Sequence, residues 1–339
     1  MAHAAYVSTS QPVDIKPYCG TTPIRVALID GYGGNTWRKI ALAELKDEAT
    51  QCKTIKHIAY TNADGSEQSY NAAINSYTAQ GYNIIIAFTD FGDASMPAYR
   101  SAFKAGVTMV PYLGRLDGQA GVDYAANVYQ AATAQGKIMG EWLGQALHGK
   151  GNVLMLGGPA GAASSTRFLA GFKQGIAEYP GLVLLDKNYV VTDWNPAYAQ
   201  QAAAGLIAKY PQIDGIVSDY GVTALATIKA FQQAGLKVPA IATSASNNQL
   251  DCKYDDAVKS GDAWPYMALD GTTRIVRFAL QRALAIYNHV QDTQPDGVLP
   301  YVFADSTKGI LPKCDPNAPP DADLSSSLSE AKLNALFKN

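Results

Sequence analysis

The chain has 339 residues, 47% of them hydrophobic and 17% charged, so it can bury the cores of about two domains and is too apolar for a disordered protein. Its 27 basic and 29 acidic residues give a formal net charge of −2, which excludes the strong positive field of proteins that bind nucleic acids or anionic membranes. No window approaches the ~18 uninterrupted apolar residues of a transmembrane helix.

The first third of the chain alternates apolar, β-branched runs with helical patterns. The predicted order is strand 24–29, helix 36–50, strand 55–60, helix 67–80, strand 84–86, helix 97–104 and strand 107–113. Near-continuous apolar strands separated by helices are typical of a parallel sheet that helices cover.

The pattern restarts after residue 130. The predicted order is helix 131–147, strand 153–156, helix 166–178, strand 183–191, helix 196–209, strand 213–217, helix 222–234 and strand 238–242. Asn195-Pro196 predicts the start of one helix, with Asn as the N-cap and Pro in the first turn. Two sets of βα units predict an α/β protein with two doubly wound, parallel-sheet lobes.

The last part of the chain is less regular. The predicted order is a short helix 255–260, strand 263–267, a long amphipathic helix 272–287, a lone strand 299–304 and a weak helix 329–337 after a tail rich in Pro, Asp and Ser. We find no close internal repeat.

The N-terminus contains an Ala-x-Ala pattern at residues 2–4, of the kind that precedes a signal-peptide cleavage site. Two alternatives remain open, the end of a removed leader and a cloning scar, and both allow an exported protein.

The chain has four cysteines and no Cys-x-x-Cys pair, and its four histidines are scattered, so we expect no metal site. An even cysteine count in an exported protein predicts two disulfides, and four unrelated buried thiols are the alternative.

Ligands of open α/β sheets bind at the carboxyl ends of strands, so the residues after each strand are the place to look for chemistry. Residues 31–36 match a dinucleotide-binding fingerprint only in part, because Thr36 stands where the third glycine belongs. The glycine-rich run 157–162 lacks the Lys-Ser/Thr of a phosphate loop, and no Gly-x-Ser-x-Gly elbow occurs. We therefore expect no cofactor and no enzymatic activity.

Several motifs share an order and spacing with one known family. They are the run 191–200 (VTDWNPAYAQ), the run 210–216 (YPQIDGI), Gly-Lys-Ile-Met-Gly at 136–140 and Gly171-Phe172. On these motifs the chain, from about Ile24 to Ile310, resembles the type I periplasmic solute-binding proteins of ABC transporters, in the branch that binds ribose and galactose.

The resemblance implies two α/β lobes that are joined by three crossovers and bind a ligand in the cleft between them. Carried over, the crossovers fall near Gln130, Ala268 and Pro295. The implied first lobe is 1–130 with 268–295, and the second is 131–267 with 296–339.

The same carry-over puts Cys19 and Cys52 on the first lobe and Cys252 and Cys314 on the second. If disulfides form, we predict these two pairs, each of which ties a flanking loop to its own lobe.

The resemblance also implies ligand contacts. Asn35 and Trp37 match an Asn and an aromatic residue that follow the first strand, and Trp194 matches an aromatic residue of the other lobe. Two rings can sandwich the apolar C–H faces of a sugar or polyol while polar groups bind its hydroxyls. The alternatives are a core position for Trp37 and a loop anchor for Trp194.

Further polar positions follow other strands. Arg115 matches an arginine whose guanidinium binds two ligand oxygens, although Gly114 replaces the Asp that precedes it in the family. Arg167 lies where an arginine of the family reaches the ligand, but its distance in sequence from Gly171-Phe172 differs from the family's by one residue. Asp219 and Tyr220 replace an Asn-Asp pair, and Ser244 replaces an Asp. The remaining candidates are Tyr32, Arg38, Asp90, Phe91 and Asp270. Each polar candidate has the alternative of a solvated loop residue. For Tyr266, a side chain that faces the cleft and a side chain packed in the core both remain open.

The resemblance implies a periplasmic or otherwise extracytoplasmic binding protein. It would capture a monosaccharide or short sugar alcohol by lobe closure and deliver it to a membrane ABC permease, as a monomer and without nucleic acid. Which sugar or polyol it binds remains open. The alternative is the ligand-sensing domain of a lac-repressor-type regulator, or a sensor or chemotaxis partner. Residues 1–23 show no helix-turn-helix pattern, and disulfides would argue against a cytosolic repressor.

Overall fold

The computed structural model describes residues 6–338, which form two compact units. Unit 1 comprises the described residues up to Gln130, Thr272–Leu299 and residues 326–338, and unit 2 comprises Ala131–Gly271 and Pro300–Ser325. The Ala-x-Ala pattern at residues 2–4 lies outside the described residues.

The chain passes between the units four times. Three passages lie close to the predicted crossovers, and the fourth follows Ser325, where the tail returns to unit 1. Residues 296–299 and 326–338 lie in unit 1, whereas the predicted bounds put them in the second lobe, and residues 268–271 lie in unit 2, whereas the predicted bounds put them in the first.

Fourteen strands and ten α-helices are found within residues 6–338. The strands are β1 (Tyr6–Ser8), β2 (Ile24–Asp30), β3 (Ile55–Asn62), β4 (Ile84–Phe88), β5 (Thr108–Leu113), β6 (Val128–Gln130), β7 (Lys150–Gly157), β8 (Gly181–Leu184), β9 (Val190–Val191), β10 (Gly215–Ser218), β11 (Ala240–Ser244), β12 (Tyr266–Asp270), β13 (Gly297–Leu299) and β14 (Tyr301–Asp305). The helices are α1 (Thr36–Ala49), α2 (Glu67–Ala79), α3 (Met96–Lys104), α4 (Ala132–Ala146), α5 (Ala163–Ile176), α6 (Pro196–Lys209), α7 (Gly221–Gln233), α8 (Asn248–Ser260), α9 (Ile275–Tyr287) and α10 (Glu330–Phe337).

Unit 1 is built on a parallel sheet with the strand order β1-β13-β6-β5-β4-β2-β3. Successive residues of a strand point to opposite faces, so Val26 and Leu28 pack with α1 and α9, whereas Ala27 and Ile29 pack with α2 and α3. Both faces of the sheet are thus covered, as the doubly wound prediction requires.

Unit 2 has the strand order β14-β12-β11-β10-β7-β8, with β9 also paired to β7. Its pairs are parallel except for the antiparallel edge pair β12–β14. The two units confirm the predicted α/β fold class.

Two predicted strands are each divided in two. The strand predicted at 183–191 becomes β8 and β9, because Asp186-Lys187-Asn188 forms a polar break between them. The strand predicted at 299–304 becomes β13 and β14 on either side of Pro300, which lacks the N–H that a continuous ladder needs. β13 joins the sheet of unit 1 and β14 that of unit 2.

Helices α4 and α5 of unit 2 pack through glycines. A Cβ at Gly136 would overlap the carbonyl oxygen of Phe168, and a Cβ at Gly171 would overlap that of Thr133. Backbone approaches this close allow no side chain between the helices. The Gly-Lys-Ile-Met-Gly and Gly-Phe motifs therefore lie at this helix contact.

The disulfide prediction is confirmed. Cys19 pairs with Cys52 in unit 1, and Cys252 pairs with Cys314 in unit 2. The first bond ties the segment before β2 to the residues that follow α1, and the second ties the tail to α8.

None of the helices within residues 6–338 is long and apolar enough to cross a membrane.

Candidate functional site

A buried arginine joins two strand ends of unit 1. Arg38, in the first turn of α1, donates from Nη1 to Asp30 Oδ1 at 2.8 Å and from Nη2 to Asp90 Oδ1 at 2.7 Å. Asp90 Oδ2 also accepts from the backbone N–H of Gly31 at 2.7 Å and of Tyr32 at 3.3 Å. The network ties the loops after β2 and β4 to the start of α1.

The charges in this network depend on one another. Burial raises the pKa of Asp30 and of Asp90, and the Arg38 guanidinium opposes that rise. Burial would lower the pKa of Arg38, but Asp90 and Asp30 outweigh it, so the pKa is raised. The guanidinium also lies 3.1 Å from the ring centroid of Phe88. Arg38 and Asp90 thus organise unit 1, and their direct contact with a ligand stays a prediction.

Asn35 and Trp37 lie at the start of α1. Asn35 is the N-cap, and its Oδ1 accepts from the backbone N–H of Arg38 at 2.9 Å, so this exposed side chain first serves the helix. The half-buried Trp37 donates its indole N–H to Thr272 Oγ1 at 3.0 Å and meets the Phe88 ring edge-on at 5.7 Å. Its indole N–H is therefore used within unit 1.

The other candidates of unit 1 are more exposed. Tyr32 is 54% exposed, and its ring centroid lies 5.5 Å from that of the half-buried Phe91. Arg115 is exposed, and its guanidinium lies 5.3 Å from the ring centroid of Tyr129. All the unit 1 candidates follow β2, β4 or β5, which are neighbouring strands of one sheet.

In unit 2, Trp194 contacts a buried aspartate. Its indole N–H donates to Asp219 Oδ1 at 3.1 Å, and Asp219 Oδ2 accepts from the hydroxyl of Ser165 at 2.5 Å. Burial raises the pKa of Asp219 to about 6, although the bonds from Ser165 and Trp194 oppose that rise. Both carboxylate oxygens of Asp219 are thus engaged within unit 2.

The loop that carries Trp194 has an unusual backbone. Asp193 and Trp194 have φ angles of +52° and +51°, the left-handed region that side chains rarely adopt. A Cβ at Gly158 would overlap the indole ring, so the ring lies directly against the backbone of that glycine. Trp194 nevertheless remains 38% exposed, so part of the anchored ring is open to solvent.

The remaining candidates of unit 2 also lie near strand ends. Buried Ser244 Oγ accepts from Gln135 Nε2 at 2.7 Å, and buried Asp270 accepts from the backbone N–H of Ser246 at 2.7 Å. Tyr220 is a half-buried residue just before α7, and Arg167 is half-buried in α5.

Tyr266 lies in the core of unit 2. It is fully buried, and its ring centroid lies 4.7 Å from that of Tyr254. The core alternative that the sequence left open is therefore the correct one.

Sequence reasoning missed Ser165 and Gln135. Both are fully buried polar residues that hold predicted site residues in place. A polar residue on the apolar face of a helix next to a strand end is a signal that could have identified them. Within residues 6–338, no cluster of three or more potential metal-ligating side chains occurs.

Both α/β units carry aromatic and polar side chains at the carboxyl ends of parallel strands, which is where open α/β sheets bind ligands. The family model described as "periplasmic binding protein domain" matches residues 26–265. The chain belongs to this family, which confirms the family prediction and favours binding over catalysis.

Individual relatives agree with this assignment. The chain is 27% identical over 252 residues to a xylitol-binding protein of Mycolicibacterium smegmatis, covering 74% of this chain and 69% of the relative. A solute-binding protein of an ABC transporter from Actinobacillus succinogenes, with bound D-allose, superposes with a TM-score of 0.68 at 22% identity, covering 83% of this chain and 95% of that one. The arabinose-transporter binding protein of Shewanella sp. ANA-3 gives 0.68 at 20% identity, covering 82% and 91%. At these identities the two structures show a common fold.

Proposed function

We propose that this protein is an extracytoplasmic solute-binding protein that captures a monosaccharide or short sugar alcohol and delivers it to an ABC permease. The observation that carries the proposal is the anchored, partly exposed indole of Trp194, at the place in unit 2 where the family resemblance puts a stacking aromatic. Binding of xylitol, D-allose and arabinose by the relatives supports the ligand class.

The chemistry of the two indoles fits a hydroxyl-rich ligand. Trp37 and Trp194 both give their N–H to groups of their own unit, so a contact with the ligand would be made by their rings and not by their N–H groups. Ring faces stack on the apolar C–H faces of sugars and polyols. Because Asp30 and Asp90 offset the charge of Arg38, this part of unit 1 offers no surplus positive charge to an anionic ligand.

The proposed mechanism is capture by closure. A ligand that contacts residues of both units binds the closed state more tightly than the open state, and its binding shifts the population toward closure. The permease then recognises the closed form. We propose that the protein acts as a monomer outside the cytoplasm, where its two disulfides remain oxidised.

A thermal-shift screen over sugars, sugar alcohols and amino acids tests the proposal. Micromolar affinity corresponds to about −8 kcal/mol, and ligand at 100 times Kd adds about 2.7 kcal/mol to the stability. We expect a clear rise in Tm with at least one monosaccharide or polyol. A rise confined to amino acids would contradict the proposed ligand class.

Matched variants assign the effect to the indole. Trp194→Ala should abolish the ligand-induced rise in Tm, and it should lower the melting point of the free protein only modestly, because it removes one hydrogen bond to the buried Asp219. Tyr198→Ala, which removes an aromatic side chain that is 55% exposed, is the control and should keep the rise. A large loss of stability in ligand-free Trp194→Ala would mark the indole as a structural anchor only.

A further inference from the structure

A chain of hydrogen bonds runs from a backbone amide of unit 2 to the indole of Trp194. The N–H of Gly158 donates to Ser165 Oγ at 3.0 Å, and the Ser165 hydroxyl donates to Asp219. Asp219 then accepts from the Trp194 indole N–H. Because Ser165 accepts one bond and donates another, the direction of its hydroxyl is fixed, and so is the carboxylate that it holds.

This arrangement leaves the indole little freedom. The side-chain groups that donate to Asp219 are the Ser165 hydroxyl and the Trp194 indole N–H, and both are neutral. A hydrogen bond from a neutral donor to an ionised carboxylate is stronger than a bond between two neutral partners. One face of the indole ring lies against Gly158, where any side chain would overlap the ring. The indole is therefore fixed both at its edge and on one face.

We propose that Ser165, Asp219 and Gly158 are positioning residues that fix the Trp194 indole for stacking on the ligand. The inference rests on the proposed function and deepens it. Ser165 acts on affinity through Asp219 and Trp194, and it has no assigned contact with the ligand.

Preorganisation of the indole should increase the affinity for the ligand. A ring that could rotate freely would lose rotational freedom when the ligand binds, and this loss of entropy would reduce the affinity. The indole that Asp219 holds is already fixed before the ligand binds, so this loss is avoided.

A calorimetric titration with xylitol, D-allose and L-arabinose tests the inference, using whichever binds the wild type most tightly. Ser165→Ala should weaken binding about tenfold, the effect of one lost hydrogen bond. Ser164→Ala, a change of the half-buried neighbour in the same helix, should bind like the wild type. Asp219→Asn, which keeps an acceptor for the indole, should retain more affinity than Asp219→Ala.

The double-mutant cycle with Trp194→Phe separates positioning from general stability, since phenylalanine has no N–H for Asp219 to hold. In that background, Ser165→Ala should cause no further loss of affinity. An equal loss in both backgrounds, or full affinity of Ser165→Ala in the wild-type background, would overturn the inference. If Ser165→Ala does not fold, Gly158→Ala takes its place and should lose affinity by displacing the ring. If the wild type binds none of these three, the best monosaccharide or polyol from the thermal-shift screen takes their place. A wild type that binds no monosaccharide or polyol at all would instead refute the proposed function, and the inference with it.

Discussion

Arg38 carries a buried positive charge that two carboxylates share, and its removal would leave both of them without a cation. Uncompensated buried charges of this kind cost about 3–5 kcal/mol. We predict that Arg38→Ala lowers the free energy of unfolding by roughly this amount in ligand-free protein, as measured by urea denaturation.

The control for this prediction is Lys39→Ala, which changes the exposed neighbour and should stay within about 0.5 kcal/mol of the wild type. If Arg38→Ala kept wild-type stability and lost only ligand binding, Arg38 would be a ligand contact and not an organiser of the fold.

Asp251 of unit 2 predicts a pH dependence of stability. Burial raises its pKa to about 8, the Asp323 carboxylate adds to the rise, and a bond from Ser246 opposes it. The folded state therefore keeps a proton that the unfolded state releases near pH 4, and the resulting stability is lost as the pH rises toward 8.

The slope for one such proton is at most about 1.4 kcal/mol per pH unit. We predict that the stability of the wild type falls more steeply between pH 5 and 8 than that of Asp251→Asn, measured by denaturation at each pH. Parallel curves for the two proteins would show that Asp251 does not hold this proton.

At the residue scale, the local sequence pattern predicts helix caps, but it does not predict hydrogen bonds between residues that are distant in sequence. The sequence predicts Asn195 as an N-cap, and its Oδ1 accepts from the backbone N–H groups of Ala197 and Tyr198. The pairing of Arg38 with Asp90, by contrast, joins residues 52 positions apart. No local pattern shows such a pair, so the sequence predicts both residues only as ligand contacts.

The contact between α4 and α5 predicts a contrast between two glycines. In Gly171→Ala the new Cβ would overlap the Thr133 carbonyl, so the helices must separate and unit 2 should lose several kcal/mol of stability. Gly205, in α6, has open space within 4 Å of the point where a Cβ would lie, so Gly205→Ala should stabilise the protein by about 0.5–1 kcal/mol. Thermal unfolding of the two variants measures both effects, and equal melting points would contradict the close packing.

Elements with strong periodicity can be predicted to within a few residues, and the predicted bounds of α6 are the observed ones. β1 and β6 could not be predicted, because each has three residues and pairs with β13, which is distant in sequence. A short strand of this kind has no pattern of its own.

The tail beyond Ser325 connects back to α1 of unit 1. Glu44 accepts from the Ser326 hydroxyl and the Ser327 backbone N–H at 2.7 Å each, and Glu44 is fully buried. A chain that ends at Ser325 would leave this carboxylate short of donors, which costs about 1–3 kcal/mol. We predict a corresponding loss in urea denaturation, whereas a chain that ends at Phe337 should match the wild type. Equal stability of all three would contradict the role of the tail.

At the scale of the whole molecule, the two units and the disulfide pairs follow the family resemblance, whereas the return of the tail does not. The bonds from Ser326 and Ser327 to Glu44 span more than 280 residues of sequence. The polar composition of the tail therefore gives no indication of its partner.

The most direct test of ligand capture by the Trp194 indole is a calorimetric titration of the wild type and Trp194→Ala with the best monosaccharide or polyol from the screen. We predict one site per chain with micromolar affinity in the wild type, and a loss of at least tenfold in the variant. Equal affinity of the two proteins, or the absence of binding heat with every sugar and polyol, would contradict it.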